Sequence, residues 1–193
     1  MIEQSLAWVL IVLVLCLDIY LVWWMYKSKR KMRRFALAPI FFVFIIPFFN
    51  QPKISDSFLL KTVGIMFAAL GFVIMTLGGY EFYRRGIIPA LSKKESSRHK
   101  PEEITHELVT TGIYRLFRHP QYVGLFTFLF GYFLLLSALY ALCLTPLILT
   151  WFAAIAYFEE RYDLEVMFGD EYRKYKKKAG MFFPKISSYK FRN

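Results

Sequence analysis

Cysteine is scarce in this chain, with two residues, and histidine nearly so, with three. Cys16 and Cys143 both lie inside apolar runs, so they are poor candidates for a disulfide or a metal ligand, and packed free thiols are expected. Acidic residues are also few, 14 against 25 Lys and Arg, which gives a formal net charge of +11. There is no internal repeat, no metal-ligand spacing, no phosphate-cradling glycine loop and no nucleophile elbow. Those absences remove P-loop nucleotide hydrolases, dinucleotide-binding folds and α/β-hydrolases from consideration.

What the chain has in abundance is apolar surface. Hydrophobic residues make up 57% of its 193 positions and aromatic residues 20%, with 21 phenylalanines. Soluble domains average nearer 45–50% apolar, so a polytopic all-α membrane protein is expected. A hydrocarbon core about 30 Å thick takes roughly 20 apolar residues as helix. Ser5–Tyr26 and Phe58–Tyr80 meet that length, and Phe35–Phe49, with Pro39 and Pro47, is a shorter or broken span. Gln121–Tyr157 is too long for one helix and divides near Ser137-Ala138 into two, the second carrying Pro146. About five transmembrane helices follow. Residues 1–80 hold the first three, and 81–193 hold the rest with a cytoplasmic, interfacial C-terminal helix.

The charges agree with that count. Lys27–Arg34 carries six basic residues, Glu81–Pro120 eight and the tail from Glu159 nine, so 23 of 25 fall on one side of five crossings. The positive-inside rule then sets the N-terminus outside and the C-terminus in the cytoplasm. In a soluble protein such a charge would suggest nucleic acid; segregated between membrane loops, it does not. The first span lacks a positive leading segment and reads as a retained anchor in a bacterial inner membrane or an endoplasmic reticulum. In the third span Gly64, Ala68, Gly71 and Gly78 share one stripe, which suits close helix packing. Asp18 is expected to face the bundle or water.

Function concentrates in His106–Gly124, a basic loop against an apolar span that holds two of the three histidines. Pro120 suits the first turn of a helix, so the fourth span is expected to begin there with backbone N–H groups open to an anion. Arg118 and His119 stand beside it, Gly112 permits an unusual turn, and Tyr114 and Tyr122 add aromatic faces. A carboxylate-bearing ligand with a flat ring fits this set; the plainer reading is a membrane-interface loop with a snorkelling Arg. A second polar cluster, Glu159-Glu160-Arg161, follows the fifth span. Two acids at a helix C-terminus oppose its dipole, which calls for a cationic ligand or Arg118. Downstream, Leu164, Phe168, Tyr172 and Tyr175 form an apolar stripe beside Lys174 and Lys176–Lys178, as in an amphipathic surface helix broken at Gly169 and Gly180.

Two motifs in order carry a resemblance. His106-x-Leu108-Val109-x-x-Gly112-x-Tyr114 followed by Arg118-His119-Pro120-x-Tyr122-x-Gly124, and later Glu160-x-x-x-Leu164-x-x-x-Phe168-Gly169-x-Glu171-Tyr172-x-x-Tyr175 ending in Pro184, resemble the isoprenylcysteine carboxyl methyltransferase family. That family sits in a wider group of membrane methyltransferases that includes phospholipid N-methyltransferases. The resemblance implies S-adenosylmethionine as cofactor and S-adenosylhomocysteine as product. It implies a cofactor pocket at His106, Leu108, Val109, Gly112, Tyr114, Arg118, His119, Pro120, Tyr122, Glu159 and Glu160. Arg118, His119 and Glu160 are its catalytic candidates, facing the cytoplasm. A lipophilic or lipidated acceptor would arrive from the bilayer, with membrane lipids as the other partners. One position departs: enzymes acting on a prenylcysteine carboxylate carry Arg one turn before the Glu, and here that residue is Ala156.

Two other readings stay open. Sterol reductases resemble this architecture, with a similar Arg-His-Pro and a nicotinamide cofactor. A non-enzymatic scaffold would use the basic loops to hold anionic lipids. Binding of S-adenosylhomocysteine or of NADPH separates the three. The acceptor and the oligomeric state are not encoded in any motif above.

Overall fold

The computed structural model describes Val12, Cys16, Tyr20 and residues 43–44, 46–48, 51–89 and 107–185. Their regular structure is helical, with no β-strand among the described residues. Most of the expected first span, Asp18, the basic stretch after it, His99 and His106 lie outside them; Val12, Cys16 and Tyr20 are helical and exposed. Of Phe35–Phe49, Val43 is helical and Ile46–Phe48, with Pro47, forms a single 3-10 turn.

Helix α1 runs Phe58–Phe82 and continues as a π-helical turn, Tyr83–Ile87. It therefore extends past the expected end at Tyr80. Its start is set by Ser57, whose Oγ accepts from the Leu60 N–H at 3.2 Å, a side-chain cap on an otherwise orphan donor. Twenty-five residues of α-helix rise about 37 Å, and Phe58–Ile87 is long and apolar enough to cross a membrane. Phe58, Leu59, Met66, Leu70 and Phe72 on α1 are exposed, as expected of a helix solvated by lipid chains.

Helix α2, Pro120–Leu135, is a shorter apolar helix that begins where proline at the first position predicts. The expected division near Ser137-Ala138 is present. Ser137 takes φ 54°, a left-handed conformation that stops a helix. Short helix α3, Leu139–Cys143, follows, and then α4, Thr145–Glu159, with Pro146 in its first turn. Glu160–Leu164 is a second π-helical turn, and α5, Glu165–Lys178, comes next.

The chain forms two compact units. The first lies within Met1–Gly71 and Phe126–Asp163, the second within Phe72–Leu125 and Leu164–Asn193. In the first, small residues let two backbones touch. A Cβ on Gly64 would lie 2.6 Å from the Leu135 nitrogen, and one on Gly131 would lie 2.6 Å from the Gly64 oxygen. Gly131 also abuts Ala68, so the Gly64–Ala68 part of the small-residue stripe serves helix packing, as its composition predicts. The segment 51–55 seals the break after α2. Ile54 donates to the Ser137 carbonyl at 3.1 Å, Ser137 Oγ donates to the Ser55 carbonyl at 2.5 Å, and the Tyr140 N–H donates to Gln51 Oε1 at 2.9 Å. These bonds satisfy backbone that burial would otherwise leave orphaned, since Ser137 and Ala138 are each 2% exposed.

Candidate functional site

The second unit holds most of the predicted site, and its geometry follows from side chains that bond backbone carbonyls. Val109, Tyr114, Tyr172, Tyr175 and Ala179 form its buried core, with Leu108, Ile113, Leu164 and Phe168 packed against them. Of the apolar stripe, Tyr172 and Tyr175 are buried against protein, where they meet the loop 108–114. Tyr175 Oη donates to the Tyr114 carbonyl at 2.6 Å, and Tyr114 Oη donates to the Gly78 carbonyl at 3.3 Å. Two hydroxyls therefore pin the loop between α5 and α1. Gly169, at φ +52° with nothing within 4 Å of a would-be Cβ, supplies the predicted break inside α5 by conformation alone.

Arg118, His119 and Pro120 form the second part. The Arg118 guanidinium donates from Nη1 to the carbonyls of Lys176, at 3.0 Å, and Ala179, at 3.2 Å. Those carbonyls belong to the C-terminal end of α5, where a cation is favourable and orphan acceptors need donors. Its backbone N–H donates to the Gly180 carbonyl at 2.8 Å, and that of His119 to the Met181 carbonyl at 3.4 Å. Arg118 therefore fastens the Arg-His-Pro segment to residues 176–181. His119 is 7% exposed, stacked on Tyr122 with centroids 5.5 Å apart and 8° between planes, with Phe182 edge-on at 6.3 Å. The expected open anion site at the start of α2 is reduced. Pro120 has no N–H, and the N–H groups of Tyr122 and Val123 both donate to the His119 carbonyl at 3.1 Å.

Gly112 sits at φ +59°, and a Cβ there would lie 2.7 Å from Glu81 Oε1. Both the left-handed backbone and the close approach require glycine. The sequence reading missed Glu81, which ends an apolar run; its i,i+4 spacing to Arg85 is the signal that marks it. Tyr172 and Tyr175 were singled out as a stripe, but not as the posts that hold the loop.

In the first unit Glu160 is 1% exposed and opens the π-helical turn, while Glu159 is half-buried. The acids do not end a helix, as the sequence had suggested. Helical backbone continues through Leu164, at φ −72° and ψ −43°, into α5, so the dipole argument for a compensating cation does not apply. A π-helical turn is uncommon and recurs at functional positions. Ala156, one turn earlier, is completely buried. His106, predicted beside Leu108, lies outside the described residues.

The family model for phospholipid methyltransferase matches residues 60–171, more than half of the chain. A Xenopus laevis protein named Protein-S-isoprenylcysteine O-methyltransferase is 35% identical over 120 residues, 61% of this chain and 41% of its own length. Proteins of the same name from Schizosaccharomyces pombe and Tribolium castaneum are 40% identical over 81 residues and 29% identical over 152. These alignments take in 42% and 76% of this chain, and 34% and 50% of those relatives. The chain thus spans half or less of the length of these curated relatives. Arg118, His119, Glu160 and the loop 108–114 all fall within the matched stretch, and the chain belongs to the phospholipid methyltransferase family.

Proposed function

We propose that this protein is an integral-membrane methyltransferase that uses S-adenosylmethionine and methylates a lipophilic acceptor. The observation that carries the reading is Glu160, a carboxylate held at 1% exposure in a chain of apolar helices whose family transfers methyl groups. Burying an ionisable side chain is costly and calls for strong partners. A buried carboxylate suits the ammonium or the ribose hydroxyls of such a cofactor. In the other unit, the half-buried Tyr122, stacked on His119, adds an aromatic ring of the kind that suits a purine. In this reading Leu108, Val109, Gly112, Tyr114, Pro120 and Tyr122 line the cofactor pocket, and Arg118 orders it. Five spans, an external N-terminus and a cytoplasmic C-terminus complete the reading, with residues 1–80 as anchor and 81–193 as transfer machinery.

When bound, S-adenosylmethionine supplies a methyl group on a sulfonium whose sulfur leaves uncharged. The protein's part is then to orient and to exclude water; orientation alone is worth roughly 7–11 kcal/mol. An acceptor that is already an anion, such as a carboxylate or a thiolate, needs no base. An amine acceptor must lose a proton, and His119 or Glu160 would take it. The name these relatives carry points to an isoprenylcysteine carboxylate. The family model's description and the buried Ala156 favour an aminophospholipid as the second reading.

Purified protein incubated with methyl-labelled S-adenosylmethionine and lipid extract, prenylcysteine analogues or aminophospholipids tests both. Label released by mild base identifies an ester and supports the first acceptor; base-stable label in phospholipid supports the second. Glu160→Gln is expected to lower turnover about 100-fold. Thermal stabilisation by NADPH, with none by S-adenosylhomocysteine, would overturn methyl transfer in favour of a reductase.

A further inference from the structure

The end of α1 carries polar residues that neither motif contains, and they meet the loop 107–112. Glu81 is 19% exposed at its side chain, in a helix otherwise apolar at this level. Arg85, one turn on and inside the first π-helical turn, lies with Nε 2.7 Å from Glu81 Oε2; the charges meet without an aligned hydrogen bond. The same guanidinium donates from Nη1 to Thr111 Oγ1 at 2.5 Å. Next to Thr111, Gly112 rests on the Glu81 carboxylate so closely that no side chain fits between them. One residue past Arg85, the Gly86 carbonyl accepts from the Glu107 N–H at 3.0 Å. The loop is thereby bound at both ends of 107–112 to a single helix end.

We propose that Glu81, Arg85 and Thr111 form a latch that fixes the conformation of the loop 107–114, with Glu81 and Arg85 as positioning residues for the cofactor. The proposal rests on the reading of that loop as part of a methyl-donor pocket. Arg85 is held in one rotamer by Glu81, and a held guanidinium loses less freedom when it bonds Thr111. Thr111 in turn sets the backbone entering Gly112, whose left-handed φ turns the chain toward Tyr114. Losing the latch lets the loop sample other conformations, so that a ligand binding it must first reorder it. The effect falls on binding, and the transfer step on bound ligand stays as it was.

Three variants and two measurements test this. Thr111→Val removes the acceptor while keeping shape, Thr111→Ser retains it, and Glu81→Gln removes the charge that holds Arg85. In the ligand-free protein, hydrogen exchange at 107–114 should rise in Thr111→Val and Glu81→Gln and stay at the wild-type level in Thr111→Ser. The KM for S-adenosylmethionine should rise about tenfold in the first two, as expected for loss of a charged hydrogen bond, with kcat within a factor of about two. Unchanged exchange in Thr111→Val overturns the latch whatever the reaction proves to be. Raised exchange together with unchanged KM also overturns it, because the loop would then be fixed for another purpose. Raised exchange in Thr111→Val, alongside a wild-type protein that does not bind S-adenosylhomocysteine, overturns the methyl-donor reading and, with it, the assignment of these residues to cofactor positioning. If Glu81→Gln does not fold, the Thr111 pair decides alone.

Discussion

The seam between α1 and α2 in the first unit and the loop cluster in the second are held by different physics. At the seam, Gly64, Ala68 and Gly131 bring backbone against backbone, and the attraction is dispersion over a close contact. In the loop cluster, Tyr114, Tyr175, Arg118 and Lys185 all donate to main-chain carbonyls far away in sequence or at a helix end. The first arrangement tolerates no added atom. The second loosens when a donor is lost. A membrane protein that must hold a polar ligand needs both: a packed frame, and a polar region whose own groups are satisfied before any ligand arrives.

Adding atoms to the seam tests one side of the contrast. Gly131→Leu should displace α1 from α2 and cost about 3 kcal/mol or more, since overpacking a backbone contact cannot be relieved by a rotamer. Loss of the folded peak in detergent size-exclusion would show it, and a wild-type melting temperature would break the distinction. Removing a single oxygen tests the other side. Tyr175→Phe leaves the ring packed and removes the hydroxyl that donates to the Tyr114 carbonyl, at a cost of about 1 kcal/mol, or about 2–4 °C in melting temperature. The smallest effect belongs to an exposed pair outside both regions. Lys61, by a hydrogen bond at 2.6 Å and by its charge, holds the Asp56 carboxyl below its ordinary value of 3.8. A lowered folded pKa contributes stability above the unfolded value, and that contribution is lost as pH falls from 3.8 through the folded value. Melting curves across that acid window should differ slightly between wild type and Asp56→Asn, and should coincide once the carboxyl is protonated.

How far the sequence could be read followed the range of each interaction. Pro120, the break at Ser137-Ala138 and the interruption at Gly169 were legible because each is a local backbone preference. Gly64 and Ala68 were legible as a stripe, though not the glycine, Gly131, that they face. The long extension of α1 through Ile87 was hidden, because Arg84 and Arg85 look like the start of a loop. The acids at 159 and 160 looked like a helix end for the same reason, and the structure carries the helix past them. Arg118 was picked out by its neighbours, but its partners, the carbonyls of Lys176 and Ala179, carry no side-chain signature at all. Gly112 was read as a turn; that it also makes room for Glu81 depends on a residue 31 positions away. Pairings of that kind lie outside any periodicity.

The two π-helical turns, Tyr83–Ile87 and Glu160–Leu164, have a bearing on how this chain accommodates insertions and deletions. Each holds one residue more than an α-helical turn would. Elsewhere in a helix, losing a residue swings everything after it by about 100° around the axis. Within these turns the surplus residue can go and the following side chains keep their aim. Length variation of a single residue should therefore gather there, beside Arg85 and Glu160, and not in the apolar helices that precede them.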